Sequence, residues 1–518
     1  LSYKLNYGRL EQRTDTDAFN PATTLAGTGG GNASRSFSTV KDYTVENLLL
    51  YNRTFGDHSI DATALYSFQE ATDDNSSTSD GGFVSDALTF YNVGSGVNTT
   101  NVSANFSQRN LISQMGRLNY GYKGKYNATY TVRRDGSSVF GANNKWATFH
   151  SGALTWAISE EDFLKDVEWI DFLKIKTSYG TSGNQAISPY QTGTRISRGS
   201  GYYFDAPVIS FSASNLANPD LRWESTESLN VGLEFNLLKN RLTGSIDYYK
   251  TTSNDLLRNK SLNLTQGFSS VISNIGSLEN KGIELSLNGI VIQKSNFSWN
   301  ATVNFFKNKN KVVILDGKET DLISDNLFIG EDINVIFGYE YGGVYDDQSE
   351  IDGSHQTDAQ PGDAIIVDVD GDGTITSEDR TIVGRASPDW TMGLTNNFEY
   401  KNFQRFWGQG RVNYADIDFW TPNNTDAKYA RPVFIDDRTR ILEDRDYIRL
   451  KNITLGYTFS KSVLDKIRLS NLRLYVAGNN LLTSTDWSGH DPETLVSGGN
   501  LGEYPSAKSF VFGASISL

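Results

Sequence analysis

From Arg117 to Arg134 the side chains alternate without interruption. Leu118, Tyr120, Tyr122, Tyr126, Ala128, Tyr130 and Val132 share one parity, with Arg117, Asn119, Lys123, Lys125, Asn127, Thr129, Thr131 and Arg133 on the other. Successive side chains of a strand point to opposite faces, so one face is apolar and tyrosine-rich and the other polar and charged. Lys123-Gly124-Lys125 is a turn of odd length, which keeps each parity on its own face in the next strand. A soluble sandwich covers its apolar face with a second sheet and favours compact aliphatics there. Tyr, Leu and Val opposite Arg, Lys and Asn suit a sheet with lipid outside and water inside.

The same parity recurs in Leu242–Tyr248, Phe297–Phe305, Ile453–Phe459 and Phe510–Leu518. Each run approaches the roughly 9–11 residues that a tilted strand needs to cross a bilayer. Only 38% of the 518 residues are hydrophobic. That leaves no run near the roughly 20 apolar residues of a membrane helix, but it fits a barrel, whose strands give half their side chains to a wet lumen. The absence of cysteine removes disulfide frameworks and thiolate metal sites. A formal charge of -14 argues against nucleic acid.

The pattern predicts an all-β, transmembrane antiparallel β-barrel with about 16 strands in this chain. They fall near 1–9, 43–56, 58–68, 111–122, 126–134, 146–158, 172–180, 226–236, 241–250, 281–291, 295–306, 390–400, 403–413, 447–459, 470–479 and 509–518. The connections alternate between short ones and mostly long ones rich in Gly, Ser, Asn and Asp, among them 10–42, 69–110, 181–225, 251–280, 307–389, 414–446 and 480–508. Outer-membrane barrels have short periplasmic turns and long extracellular loops, which would put the C-terminus in the periplasm. Leu1, Tyr3, Leu5 and Tyr7 already alternate at the start. An unpaired first strand does not suit a barrel. Residues 1–518 are therefore expected to be the C-terminal part of a longer barrel protein.

The sharpest local motif runs from Asp368 to Asp379. Asp368, Asp370 and Asp372 occupy positions 1, 3 and 5 of a twelve-residue calcium loop, with Gly373 at 6, Thr374 at 7, Thr376 at 9 and Asp379 at 12. Hard cations want six to eight oxygens, and the glycine permits the bend that converges them. Asp at position 12 in place of Glu leaves Mg2+ open beside Ca2+. Ala364–Val367 reads as a strand, so the loop, within an insertion at 361–384, is expected to act as a structural staple rather than a helix-pair sensor. His58, His150, His355 and His490 show no metal-ligand spacing and read as structural. Gly27–Gly31 lacks the Lys-Ser/Thr of a phosphate loop and reads as flexible. Trp156, Trp169, Trp299 and Trp407 lie near strand ends, as interfacial girdles do. Tyr202, Tyr203, Phe204 and Trp487 lie in long connections, where they could pack the loops or stack on a ligand. No catalytic constellation stands out, and the chain is not expected to be an enzyme.

Several stretches resemble the SusC/RagA family of TonB-dependent outer-membrane transporters. They are Arg134–Gly141 with Asn143–Trp146, Ile158–Leu164, Tyr179–Gln185, Asn218–Glu224, Leu242–Lys250, Asn274–Glu284, the Asp368 loop ending at Gly384, and Asp446–Asn452. The resemblance implies a barrel of about 22 strands in the full protein, closed by an N-terminal plug. It also implies a TonB box, energy from TonB, and a SusD-like surface lipoprotein as lid, with a dimer of transporter–lipoprotein pairs as one assembly. The expected function is import of a nutrient too large for porins, a glycan or an oligopeptide, across the bacterial outer membrane. The alternatives are a passive porin or adhesion barrel, and a secreted all-β enzyme or lectin stapled by calcium. The plug and TonB box fall outside this sequence.

Overall fold

In the hydrocarbon of a bilayer no water can satisfy backbone N–H and C=O groups, so a spanning sheet must pair every strand with its neighbours. The computed structural model describes residues 1–27, 29–98, 101–204, 206–263, 265, 267–315, 320–400, 403–406, 445–487, 491–493 and 506–517. Among these, sixteen strands form one antiparallel sheet in which neighbours follow chain order. The strands are Ser2–Asn20, Asn32–Phe55, His58–Gly81, Asn101–Tyr122, Tyr126–Ser137, Trp146–Ala157, Ile170–Asn184, Glu224–Leu237, Leu242–Asn254, Ser277–Lys294, Phe297–Ile314, Thr391–Tyr400, Phe403–Phe406, Tyr447–Thr458, Asn471–Thr485 and Ser509–Ser517. No helix among the described residues is long and apolar enough to cross a membrane.

Every expected strand has its counterpart, although the 403–413 strand lies outside the described residues beyond Phe406. Several ladders run much further than the alternation suggests. Asn32–Phe55, His58–Gly81 and Asn101–Tyr122 stay paired to their far ends, where the expected loops 10–42 and 69–110 shrink to 21–31 and 82–100. Beyond the apolar band both faces meet water, so residues such as Thr72–Ser79 carry no alternation. Their backbone ladder continues regardless.

Parity sets the faces. Tyr122 pairs with Tyr126 across the turn, where Lys123 and Gly124 adopt φ of 53° and 68°. Positive φ at both residues matches the right-handed twist of the flanking strands, and Gly meets it without strain. Leu118, Tyr130, Leu154, Ile175, Tyr179, Val231, Ile246, Ile283, Leu394, Leu455 and Leu474 are all exposed on the apolar parity. Water cannot account for such a continuous apolar surface, whereas lipid does. At the short-connection end the belt closes in a row of rings. Phe55 stacks on His58, His58 contacts Tyr122, and Tyr122, Tyr126 and Trp156 follow, with centroids 5.0–6.4 Å apart. Glu161 ties this row down, accepting from the Tyr126 hydroxyl at 2.5 Å and the Trp156 indole N–H at 3.1 Å. Trp407 lies outside the described residues.

Because its apolar face points outward, the wall has no core beneath it. Buried apolar clusters sit instead at the long-connection end. The main one joins Val139, Phe140, Phe149 and Trp223. Gly141 donates to the Leu221 carbonyl at 3.2 Å, and a Cβ there would lie 1.8 Å from the Pro219 carbonyl oxygen. The Trp223 indole donates to the Lys145 carbonyl at 3.1 Å, and Arg222 and Asp255 form an ion pair at 2.8 Å. Asn274 accepts from the Arg222 N–H at 2.8 Å and donates to the Arg222 carbonyl at 2.7 Å. Three sequence stretches far apart in the chain thus form one knot.

Tyr130→Arg is expected to impair assembly, because Arg near the bilayer midplane costs roughly 2–4 kcal/mol. Asn127→Arg, on the opposite face, is expected to be tolerated. Equal outer-membrane levels and equal melting of the two variants would contradict the face assignment.

Candidate metal loop and inner wall

The insertion between Phe297–Ile314 and Thr391–Tyr400 begins as a cover for an open edge. Thr391–Tyr400 pairs only with residues 297–306, leaving the upper part of Phe297–Ile314 without a neighbour on that side. Residues 327–333 fill the gap. Val312 N–H donates to the Glu331 carbonyl and Gly330 N–H to the Val312 carbonyl, both at 2.8 Å, and Val312, Leu315 and Leu327 bury one another. Two small two-stranded antiparallel sheets follow, Val335–Tyr339 with Arg380–Arg385 and Tyr341–Val344 with Ala364–Ile366. Tyr345, Ile351, Ala364 and Ile366 are buried within this unit.

The candidate metal loop leaves the strand Ala364–Ile366, as expected, with no helix before it. Asp368 accepts from Gly371 N–H at 2.7 Å and from Gly373 N–H at 2.9 Å. Asp370 accepts from Asp372 N–H at 3.0 Å, and Asp372 from Thr374 N–H at 2.7 Å. These turns need φ of +75° at Gly371 and +86° at Gly373, which a side chain would strain. They bring one oxygen each of Asp368, Asp370 and Asp372 within 4.8 Å of one another. Asp379 is not one of that trio, although its side chain interacts with Asp368. It is fully buried, and its two oxygens accept from Val369 N–H at 2.9 Å and Thr376 N–H at 2.7 Å. The Thr376 amide and then the Val369 amide hold its carboxyl below the ordinary carboxylate range, against the opposing effect of burial. Each carboxylate oxygen keeps a second lone pair, so this role as a clasp leaves ligation open. Thr376 caps the short helical turn Ser377–Asp379 through its hydroxyl.

His355 was invisible to spacing, yet its Nε2 lies 3.4 Å from an Asp368 oxygen. Only the folding of the insertion brings it there. His58 and His150 contact the Tyr120 and Tyr130 hydroxyls at 2.7 and 2.8 Å, and His490 lies outside the described residues. Gly27, Gly30 and Gly31 serve close approach rather than flexibility, since a Cβ at Gly27 would meet the Pro21 carbonyl oxygen at 2.1 Å and one at Gly30 would meet Gly82 Cα at 2.9 Å. Phe204 tops the hairpin Ile196–Tyr203 with Ala206–Ala213, and the Arg445 guanidinium covers the Trp487 ring at 4.9 Å. The side chains of Tyr202 and Tyr203 lie outside the described residues.

The inner face of the wall is polar and cross-braced. Lys174 and Lys176 reach Glu234 at 2.5 and 3.2 Å, and Lys176 reaches Asp247 at 3.0 Å. Tyr249 stacks on Phe306 and donates to Asn308 at 2.8 Å, and Asn310 donates to Asn280 at 2.9 Å. A shallow groove of about 310 Å³ opens here, lined by Ser245, Asp247, Glu284, Ser286, Asn304 and Phe306 among others. At the long-connection end, the buried Arg449 guanidinium binds Asp491 and lies 2.6 Å from Glu493. Asp491 also accepts from the Glu493 and Ser506 amides, both at 2.9 Å. Burial opposes the charge on Asp491, but Arg449 and these amides prevail and lower its pKa to about 2.

The family model for TonB dependent receptor-like β-barrels matches residues 1–481. The chain belongs to that family. Its members are outer-membrane receptors and transporters, not enzymes. TonB-dependent receptor P3 of Formosa agariphila is 37% identical over 564 aligned residues, covering all of this chain and 56% of the relative. TonB-dependent receptor SusC of Bacteroides thetaiotaomicron is 31% identical, covering 79% of this chain and 44% of its own length. The RagAB peptide transporter structure superposes with a TM-score of 0.82 at 26% identity, covering all of this chain and 60% of that one. The chain thus spans about half the length of the curated relatives it matches. The SusC/RagA resemblance carried by the sequence motifs is borne out.

An Asp pKa depressed in the folded state stabilises above its unfolded value and is lost as pH falls through the folded one. The Asp491 contribution should therefore be complete above about pH 4 and disappear toward pH 2. Thermal melting should fall across that window, and Asp491→Asn should flatten this part of the profile. Identical profiles would rule out Asp491 as an acid-sensitive anchor.

Proposed function

We propose that the protein carrying this chain imports a nutrient too large for porins, a glycan or an oligopeptide, across the outer membrane at the expense of TonB. The observation that carries this reading is the superposition of this whole chain on 60% of the RagAB peptide transporter chain at 26% identity. The outward apolar belt and the cross-braced polar inner wall support it. We take residues 1–518 as the C-terminal part of a barrel of about 22 strands whose lumen is filled by a plug. The outer membrane has no nucleotide supply, so uphill import draws on the inner membrane through TonB. The long connections would face outward, where a SusD-like lipoprotein could close over ligand, and pairs of such complexes could dimerise. Deleting TonB is expected to abolish uptake. Undiminished uptake without TonB would make this a passive pore.

The Asp368 loop, within 361–384, is read as a structural site for Ca2+ or Mg2+. Asp368, Asp370, Asp372, the Thr374 carbonyl, Thr376 (directly or through water) and Asp379 would supply the ligands. Three converging carboxylate oxygens and two left-handed glycines fit such an ion. Its charge would offset the repulsion of the trio and fasten the insertion that covers the edge at Val312. Asp370→Ala is expected to make residues 335–385 protease-sensitive at millimolar calcium while the melting of the sheet stays unchanged. Equal protection of variant and wild type, with or without chelator, would remove the ion from the account.

A further inference from the structure

The apolar parity ends in a lysine row. Lys250 pairs directly with Lys281, and Lys281 with Lys309, on three successive strands. One step toward the short-connection end Ile283 faces Lys307, and one step the other way Glu279 faces Lys311. All five lysines share the parity of Ile246, Tyr248, Ile283 and Phe305, so they stand on the outer wall directly above the apolar belt. In a chain of net charge -14 such a gathering is not compositional chance.

Like charges directly opposite one another on a sheet repel, with Cβ atoms about 5 Å apart. Among the described residues of this patch the compensating carboxylate is Glu279, 2.9 Å from Lys250 and 3.8 Å from Lys281. The neighbouring Glu227 accepts from the Tyr179 hydroxyl at 3.1 Å instead. Lys307 and Lys309 are exposed, and their side chains hold no hydrogen bond or ion pair among the described residues. The row therefore presents donors with an excess of positive charge.

Height decides what meets them. From Phe297, beside the short connection, to Lys307 the strand climbs about ten residues at about 3.3 Å each. A tilt of about 40° reduces this to roughly 25 Å, the height of the apolar band of an outer-membrane barrel. The lysines thus emerge where the hydrocarbon ends and the headgroups begin, at the long-connection side.

We infer that Lys250, Lys281, Lys307, Lys309 and Lys311 form a binding site on the outer wall for the phosphate groups of an anionic membrane lipid. Its acyl chains would lie along the belt formed by Tyr248, Ile283 and Phe305. Ammonium groups bind phosphate as point charges, and a row of three suits a headgroup carrying more than one phosphate. The inference rests on the apolar parity facing lipid.

The test uses the intact receptor in zwitterionic nanodiscs doped with diphosphoryl lipid A or its dephosphorylated form, with retained lipid counted by native mass spectrometry. Wild type should retain the diphosphoryl form, and excess inorganic phosphate should not displace it. At about fivefold per lysine, the triple variant Lys250→Gln/Lys281→Gln/Lys309→Gln should lose retention on the order of a hundredfold. If the triple variant does not assemble, Lys309→Gln alone should lower retention about fivefold. Equal retention by variant and wild type, or of the phosphorylated and dephosphorylated lipids, overturns the site. Failure of wild type to enter zwitterionic nanodiscs would instead overturn the lipid-facing reading beneath it.

Discussion

Everything in this structure depends on the backbone ladder. A chain crossing hydrocarbon must satisfy each N–H and C=O internally, and a sheet does so only through its neighbours. Sixteen consecutive strands, each paired antiparallel with its chain neighbours, meet that demand and free the side chains to be sorted by face alone. A one-residue slip would move Tyr130 to the water side and Lys176 to the lipid, so parity and register are the same constraint. The aromatic row from Phe55 to Trp156, tied by Glu161, fixes the wall at the short-connection end. The knot around Phe140 and Trp223 fixes it at the other.

The insertion after Ile314 follows from the same rule. Where Thr391–Tyr400 stops short, the edge of Phe297–Ile314 would stand open, and open edges invite wrong pairing. Residues 327–333 occupy that edge, and the unit carrying the Asp368 loop is built on them. The contribution proposed for the loop is therefore mechanical: an ion that fastened the insertion would also keep the edge covered.

Face and strand order were legible because alternation is a local signal with a period of two. Tyr126 to Val132 reads the same way in sequence and structure. The upper ladders were not legible, since Thr72–Ser79 is polar on both faces and only its partner strand makes it a strand. The carboxylate trio followed from spacing, because Asp-x-Asp-x-Asp-Gly closes on itself. The proximity of His355 to Asp368 and the buried Arg449–Asp491 pair are tertiary facts. No local pattern announces them. The glycines at 30 and 31 misled for a related reason, because the segment they approach, around Gly82, is distant in sequence.

The central claim is that one parity meets lipid and the other water. Because the chain contains no cysteine, single cysteines can be introduced along Tyr126–Ser137 and Phe297–Ile314 and spin-labelled one at a time. Accessibility to oxygen, which concentrates in lipid, is then compared with accessibility to a water-soluble nickel chelate in reconstituted membranes. Oxygen accessibility should peak at 126, 128, 130 and 132 and at 299, 301, 303 and 305, with the nickel chelate favouring the residues between them. A profile without a period of two, or one in the opposite phase, would contradict the account.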